Sequence, residues 1–203
     1  MYNINKDDLI KFEQKIVNLF EDGQLPFLLH LSGGNEDELI DIFKQVKTGD
    51  YILSTHRSHY HYLLAGGDPD KLEKKIYNGD SMFVFDNSIN FLSSSILAGM
   101  PPIAAGIALG LKLNNSKNKV WCFLGDGAED EGHFYEAVRM VDGRNLPCTF
   151  IIEDNNRSVE TEKKDRYNQE MIWPSCVKRY NYNCTFPHAG TGSGKMVTFK
   201  RSI

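Results

Sequence analysis

The chain has 203 residues, enough for one domain with a core that folds alone. Hydrophobic residues make up 41% and charged residues 25%, the proportions of an ordinary globular protein. A net charge of −4, with no basic stripe, argues against a nucleic-acid surface, and no apolar run approaches the length of a membrane span. The amino terminus, MYNINKDDLI, has no signal-peptide pattern. The four cysteines, Cys122, Cys148, Cys176 and Cys184, lack C-x-x-C spacing. That predicts reduced thiols in a cytoplasmic protein, not zinc ligands or disulfides.

Taken in order, residues 5–22 read as an amphipathic helix with Leu9, Phe12, Ile16, Leu19 and Phe20 on one face and Gly23 as its stop. Residues 26–31 are a short apolar stretch. Asn35 with Glu38 three residues on resembles a capping box before a second helix carrying Leu39, Ile42, Phe43 and Val46, ended by Gly49. Residues 1–48 are thus expected as a helical segment packed on a main unit over 49–203.

Three of the six histidines, His56, His59 and His61, fall within six residues beside Arg57. No Cys or acidic residue follows at ligand spacing, so anion binding fits better than a metal; Arg offers a fork to phosphate oxygens and His donates to them. Asp68-Pro69 starts a helix that runs to about Tyr77, with Pro in its first turn. Residues 83–95 read as loop. Pro101-Pro102 open a helix whose glycines and alanines permit close packing. The Gly-rich run at 188–194 lacks the strand-to-helix context of a P-loop, leaving His188 a minor candidate ligand.

The most informative stretch is 119–157. Residues 119–124 form an apolar run of strand length. Phe134, Ala137, Val138 and Val141 share a helical face, and 148–152 form a second run rich in β-branched and aromatic residues. Strand, helix, strand at this length is a βαβ unit with a right-handed crossover. The first strand ends in Gly125-Asp126-Gly127 and the second in Glu153-Asp154-Asn155-Asn156. Parallel pairing brings Asp126 and Asn155, 29 residues apart, to one sheet edge. A carboxylate beside an amide oxygen is a hard-oxygen site suited to Mg²⁺, above all when ligand phosphates complete the octahedron. The glycines let backbone approach a phosphate.

Gly-Asp-Gly, a spacer of just under thirty residues, then an Asn-containing strand end closely resembles the signature of thiamine diphosphate enzymes. The resemblance implies Mg²⁺ ligation by the Asp126 carboxylate, the Asn155 side-chain oxygen and the backbone carbonyl of Arg157, with Gly127 and Ala128 beside the diphosphate. A narrower resemblance rests on Thr55-His56-Arg57-Ser58-His59, on the Leu63–Pro69 stretch that follows, and on the segment after Ser93. It is to the alpha subunits of thiamine diphosphate-dependent 2-oxoacid dehydrogenases of the pyruvate and branched-chain types. By that likeness Arg57 contacts the diphosphate, His56 stands where the family has Tyr, and His59 faces the active-site mouth. Leu97 and Ser95 lie against the aminopyrimidine.

The implied fold is a three-layer α/β/α sandwich with a mainly parallel sheet, the diphosphate-binding half of the transketolase-like superfamily. The implied partner is a beta-type subunit carrying the pyrimidine-binding domain, in a heterotetramer that decarboxylates a 2-oxoacid and hands on to a lipoyl-carrier protein. The family's carboxy-terminal regulatory loop has no counterpart after residue 160. Two alternatives stay open: the amino-terminal half of a split transketolase-like enzyme that moves a two-carbon ketol unit, and a non-catalytic homologue.

Overall fold

The computed structural model describes residues 4–199 other than 160, 168, 170, 188, 189, 193 and 194; His188 therefore lies outside the described residues. Helix α1 (Lys6–Glu21) starts at a capping box: the Asn5 side chain accepts from the Asp8 N–H, and the Asp8 carboxylate accepts from the Asn5 N–H. Helix α2 (Glu36–Phe43) has no such cap. Asn35 instead sends its Nδ2 across to Glu153 Oε1 and Tyr180 OH, each at 3.0 Å, so the capping box expected there does not form and the helix stops well before Gly49.

The rest alternates: β1 (Tyr51–Ser54), α3 (His59–Leu64), α4 (Pro69–Tyr77), β2 (Phe85–Asp86), β3 (Phe91–Ser93), α5 (Met100–Leu113), β4 (Val120–Gly125), α6 (Gly132–Gly143) and β5 (Cys148–Asp154). Two-residue strands β6 (Arg157–Ser158) and β7 (Thr161–Glu162) make a small antiparallel pair, and β8 (Val177–Asn181) follows. Last come β9 (Gly190–Gly192) and β10 (Lys195–Val197), also antiparallel.

The main sheet runs β2-β3-β1-β4-β5-β8, parallel throughout except for β2 on β3. One departure from the sequence reading concerns an edge of this sheet. Residues 83–95, expected as loop, hold β2 and β3, strands too short to show a period. At the other edge lies β8; the Tyr182 N–H donates a final bond to the Asp154 carbonyl at 2.9 Å, after which the Thr185 N–H turns to Gly33.

Side chains alternate across this sheet into two apolar layers. On one face Ile52, Phe91, Trp121, Phe123 and Ile151 pack with Leu9, Ile16, Leu39, Tyr60 and Leu72 from α1 to α4. On the other, Leu53, Cys122, Leu124, Phe150 and Ile152 pack against Ala104, Ala105 and Ala108 of α5 and Phe134, Val138 and Val141 of α6. Burial on both faces is why β4 and β5 read as continuous apolar runs. The result is the expected three-layer α/β/α arrangement. Helices α1 and α2 share the first layer's core. Among the described residues no helix is long and apolar enough to cross a membrane.

Candidate functional site

Strands β4 and β5 pair in parallel register with Gly125 opposite Glu153. Both therefore end at one sheet edge, and a cavity of about 210 Å³ opens there. Of the residues singled out in the sequence, His56, Arg57, Ser95, Leu97, Gly127, Ala128, Asn155 and Arg157 all line it. They come from four connections: the one after β1, the one before α5, and those after β4 and β5.

Glycine is required at 127. A Cβ there would stand 2.4 Å from Ser158 Oγ and 2.7 Å from Ser158 Cβ, with Leu97 Cδ1 at 3.6 Å. Backbone of the turn thus approaches the β6 strand more closely than any side chain would allow. The neighbouring Ala98 adopts a positive φ of 49°, a strained conformation for a residue with a Cβ. Asn155 Oδ1 accepts from the Arg157 N–H at 3.1 Å, an Asx turn that fixes the amide's orientation. Arg57 Nη1 donates to the Leu31 carbonyl at 2.7 Å, anchoring the guanidinium at the wall.

Asp126 sits behind Gly127 and does not itself line the cavity; only 1% of it is exposed. Its Oδ2 pairs with Arg166 Nη2, while Oδ1 has no hydrogen-bond partner among the described residues. Burial raises its pKa, Asp154 adds to the rise, and Arg166 opposes it. Asp154 behaves oppositely. Burial pushes its pKa up, but a 2.8 Å bond from Lys163, the Asn156 N–H and Arg179 outweigh that and hold the carboxyl below its usual range. Glu129 accepts from Trp173 Nε1 at 2.7 Å and pairs with Arg179.

His59 departs from expectation. It is fully buried, does not line the cavity, and places Nδ1 3.0 Å from both oxygens of Glu13 and Nε2 3.0 Å from Ser81 Oγ. Glu13 on α1 is equally buried and also accepts the Ser32 N–H at 2.8 Å. A buried carboxylate needs such partners, and the first turn of α3 turns His59 inward to supply one. His61 is likewise internal, between Ser54 Oγ at 2.7 Å and Glu153 Oε1 at 3.2 Å. Among the described residues no three His, Cys, Asp or Glu side chains are grouped to hold a metal. His133 bonds to the Leu97 carbonyl at 3.2 Å.

Sequence reasoning missed part of the wall. His30, Ser32 and Asn35 reach it from the segment before α2, Glu153 from the end of β5, and Tyr182 from beyond β8. Glu153 adjoins the Asn155 motif and was findable by its place at a strand end. The others depend on tertiary contacts that carry no local signal. Asn35 Oδ1 is buried without a hydrogen-bond partner among the described residues.

The arrangement is a mainly parallel α/β domain with a cleft at the carboxyl ends of its strands. The chain belongs to the dehydrogenase E1 component family, whose model matches residues 6–175. It is 35% identical over 154 residues to the alpha subunit of acetoin:2,6-dichlorophenolindophenol oxidoreductase from Bacillus subtilis, covering 71% of this chain and 46% of that one. It is 33% identical over 168 residues to the pyruvate dehydrogenase E1 component subunit alpha of Rickettsia prowazekii, covering 77% and 52% respectively. The chain thus spans about half the length of the curated relatives it matches. A solved chain from Mycobacterium smegmatis, titled as a proposed thiamin diphosphate-dependent enzyme, aligns over 61% of this chain and 20% of its own with a TM-score of 0.40 and 14% identity.

Proposed function

We propose that this chain is the diphosphate- and Mg²⁺-binding part of an alpha-type subunit in a two-chain thiamine diphosphate-dependent enzyme, and that the enzyme oxidatively decarboxylates a 2-oxoacid. One observation carries the reading. The Gly125-Asp126-Gly127 and Asn155 strand ends lie on neighbouring parallel strands beside one cavity, which Arg57 and His56 also line.

The residues present fit the cofactor and its metal. Asp126 keeps one buried carboxylate oxygen without a hydrogen bond among the described residues, as a hard cation needs, and the adjoining Gly127 and Ala128 line the cavity. Asp126, the Asn155 side-chain oxygen and the Arg157 carbonyl would hold Mg²⁺. Backbone at Gly127 and Ala128 would meet the diphosphate, with Arg57 supplying positive charge and His56 a hydrogen bond. Ser95 and the half-exposed Leu97 would flank the aminopyrimidine. When bound, thiamine diphosphate supplies the electron sink for breaking the carbon–carbon bond next to a carbonyl. This chain's task is to bind, orient and exclude water. His59 has no place in that set.

A beta-type partner would complete the site and contribute the group that activates the cofactor's ring. Ile96 and Val159, 69% and 52% exposed at the cavity's rim, are apolar surface suited to such a cover. A lipoyl-carrier protein would take the product onward. A second reading of the substrate, a hydroxyketone such as acetoin, is favoured by the likeness to two acetoin oxidoreductase alpha subunits.

The test is reconstitution with a candidate beta-type chain, following 2-oxoacid- or acetoin-dependent reduction of an artificial electron acceptor. Turnover only when both chains, Mg²⁺ and cofactor are present supports the proposal. Turnover by this chain alone would sink it.

A further inference from the structure

Arg166 is a cation that the sequence reading passed over. It follows a 3-10 turn at Lys163–Asp165, a turn tethered to Asp154 through the Lys163 bond at 2.8 Å. From there its guanidinium spans two carboxylates: Nη2 pairs with Asp126 Oδ2, and Nη1 lies 2.5 Å from Asp130 Oδ2. Nη1 also reaches the Asp126 carbonyl at 3.5 Å. Its side chain is only 12% exposed and that of Asp126 is wholly buried, so the pair is shielded from solvent screening. This is the carboxylate proposed to hold the metal. A divalent cation arriving at Asp126 therefore meets a carboxylate whose charge is already matched.

We infer that Arg166 is an intramolecular competitor for the metal at Asp126, and that metal binding releases its guanidinium and the 163–166 turn from the strand end. The inference rests on the proposed Mg²⁺ site. Two like charges at one buried carboxylate repel, so either the guanidinium leaves or the metal binds weakly. In both cases the affinity of the site for a divalent ion is set by how easily this turn lets go. Lys164, on the same turn, provides the control. It pairs with the half-buried Glu162 at 2.6 Å and is itself two-thirds exposed, so its loss removes the same charge without freeing Asp126.

The experiment titrates the 203-residue chain with Mn²⁺ alone, reading the loss of the free-ion electron paramagnetic resonance signal, for wild type, Arg166→Gln, Lys164→Gln and Asp126→Asn. Mn²⁺ shares the oxygen-ligand preference of Mg²⁺. Arg166→Gln should bind about five- to tenfold more tightly than wild type, the order expected for freeing one ion-paired carboxylate. Lys164→Gln should stay within about twofold, since exposed pairs contribute little. Unchanged or weaker binding in Arg166→Gln, or equal tightening in Lys164→Gln, overturns the inference while Asp126-dependent binding leaves the metal site standing. Binding in Arg166→Gln where wild type has none supports it. No binding by either overturns both it and the metal site. Should Arg166→Gln fail to fold, trypsin mapping of the wild type decides. Added Mn²⁺ should raise cleavage after Arg166, and cleavage that stays flat while the ion binds overturns the release.

Discussion

Gly127→Ala tests the tightest approach at the proposed cofactor turn. The new Cβ would stand 2.4 Å from Ser158 Oγ and 2.7 Å from Ser158 Cβ, closer than real carbon contacts, so the turn and β6 must separate. Overpacking of this kind costs about 1–3 kcal/mol. Fewer unfolded conformations for Ala give back about 0.4–1 kcal/mol. The net is a destabilisation of about 1–2 kcal/mol, or a fall in melting temperature of about 2–8 °C for a chain of this size. Ser158→Gly removes both clashing atoms. The double variant should therefore recover most of the loss, with a coupling of about 1–2 kcal/mol in a double-mutant cycle. Calorimetric titration with thiamine diphosphate and Mg²⁺ should follow the same pattern, because Gly127, Ser158 and Leu97 all line the cavity. A Gly127→Ala chain that melts as wild type does, or a cycle additive within about 0.5 kcal/mol, would refute the contact.

Asp126→Asn should abolish divalent-metal binding. The folded-state pKa of Asp126 is raised by burial, so its contribution to stability is complete below the unfolded value of about 3.9 and falls as pH rises through the folded value. In thermal melts the wild type should therefore lose stability relative to the variant between about pH 4 and pH 7.5; a gain relative to the variant over that range would reverse the assignment. His59→Leu should cost about 1–3 kcal/mol in urea unfolding, since the buried Glu13 carboxyl and Ser81 hydroxyl lose their hydrogen bonds to the imidazole. Glu13→Leu with His59→Leu should recover much of that, and a single variant within about 0.5 kcal/mol of wild type would contradict the buried pair.

The legible parts of this molecule are those whose physics is local. Phe134, Ala137, Val138 and Val141 marked α6 because a helix buries one stripe, and the two apolar runs marked β4 and β5 because a parallel sheet is covered on both faces. Strand ends then follow from topology, which is why eight of the singled-out residues fall on one cavity wall. The failures share a different cause. β3 has three residues, too few to show a period. Asn35 looked like a helix cap from its neighbours, but Glu153, 118 residues away, took its amide. His59 looked like an active-site residue from its motif, yet a carboxylate on α1 claimed it. Arg166 was one charge in a charged loop until the fold laid it on Asp126.

The central claim is that Asp126 and Asn155 form a metal-dependent diphosphate site. The direct measurement is calorimetric titration of thiamine diphosphate into the chain with its candidate beta-type partner, in Mg²⁺ and then in excess EDTA, for wild type and Asp126→Asn. Binding that requires Mg²⁺ and disappears in Asp126→Asn is the predicted result. Binding of equal strength in EDTA, or undiminished in Asp126→Asn, would contradict it.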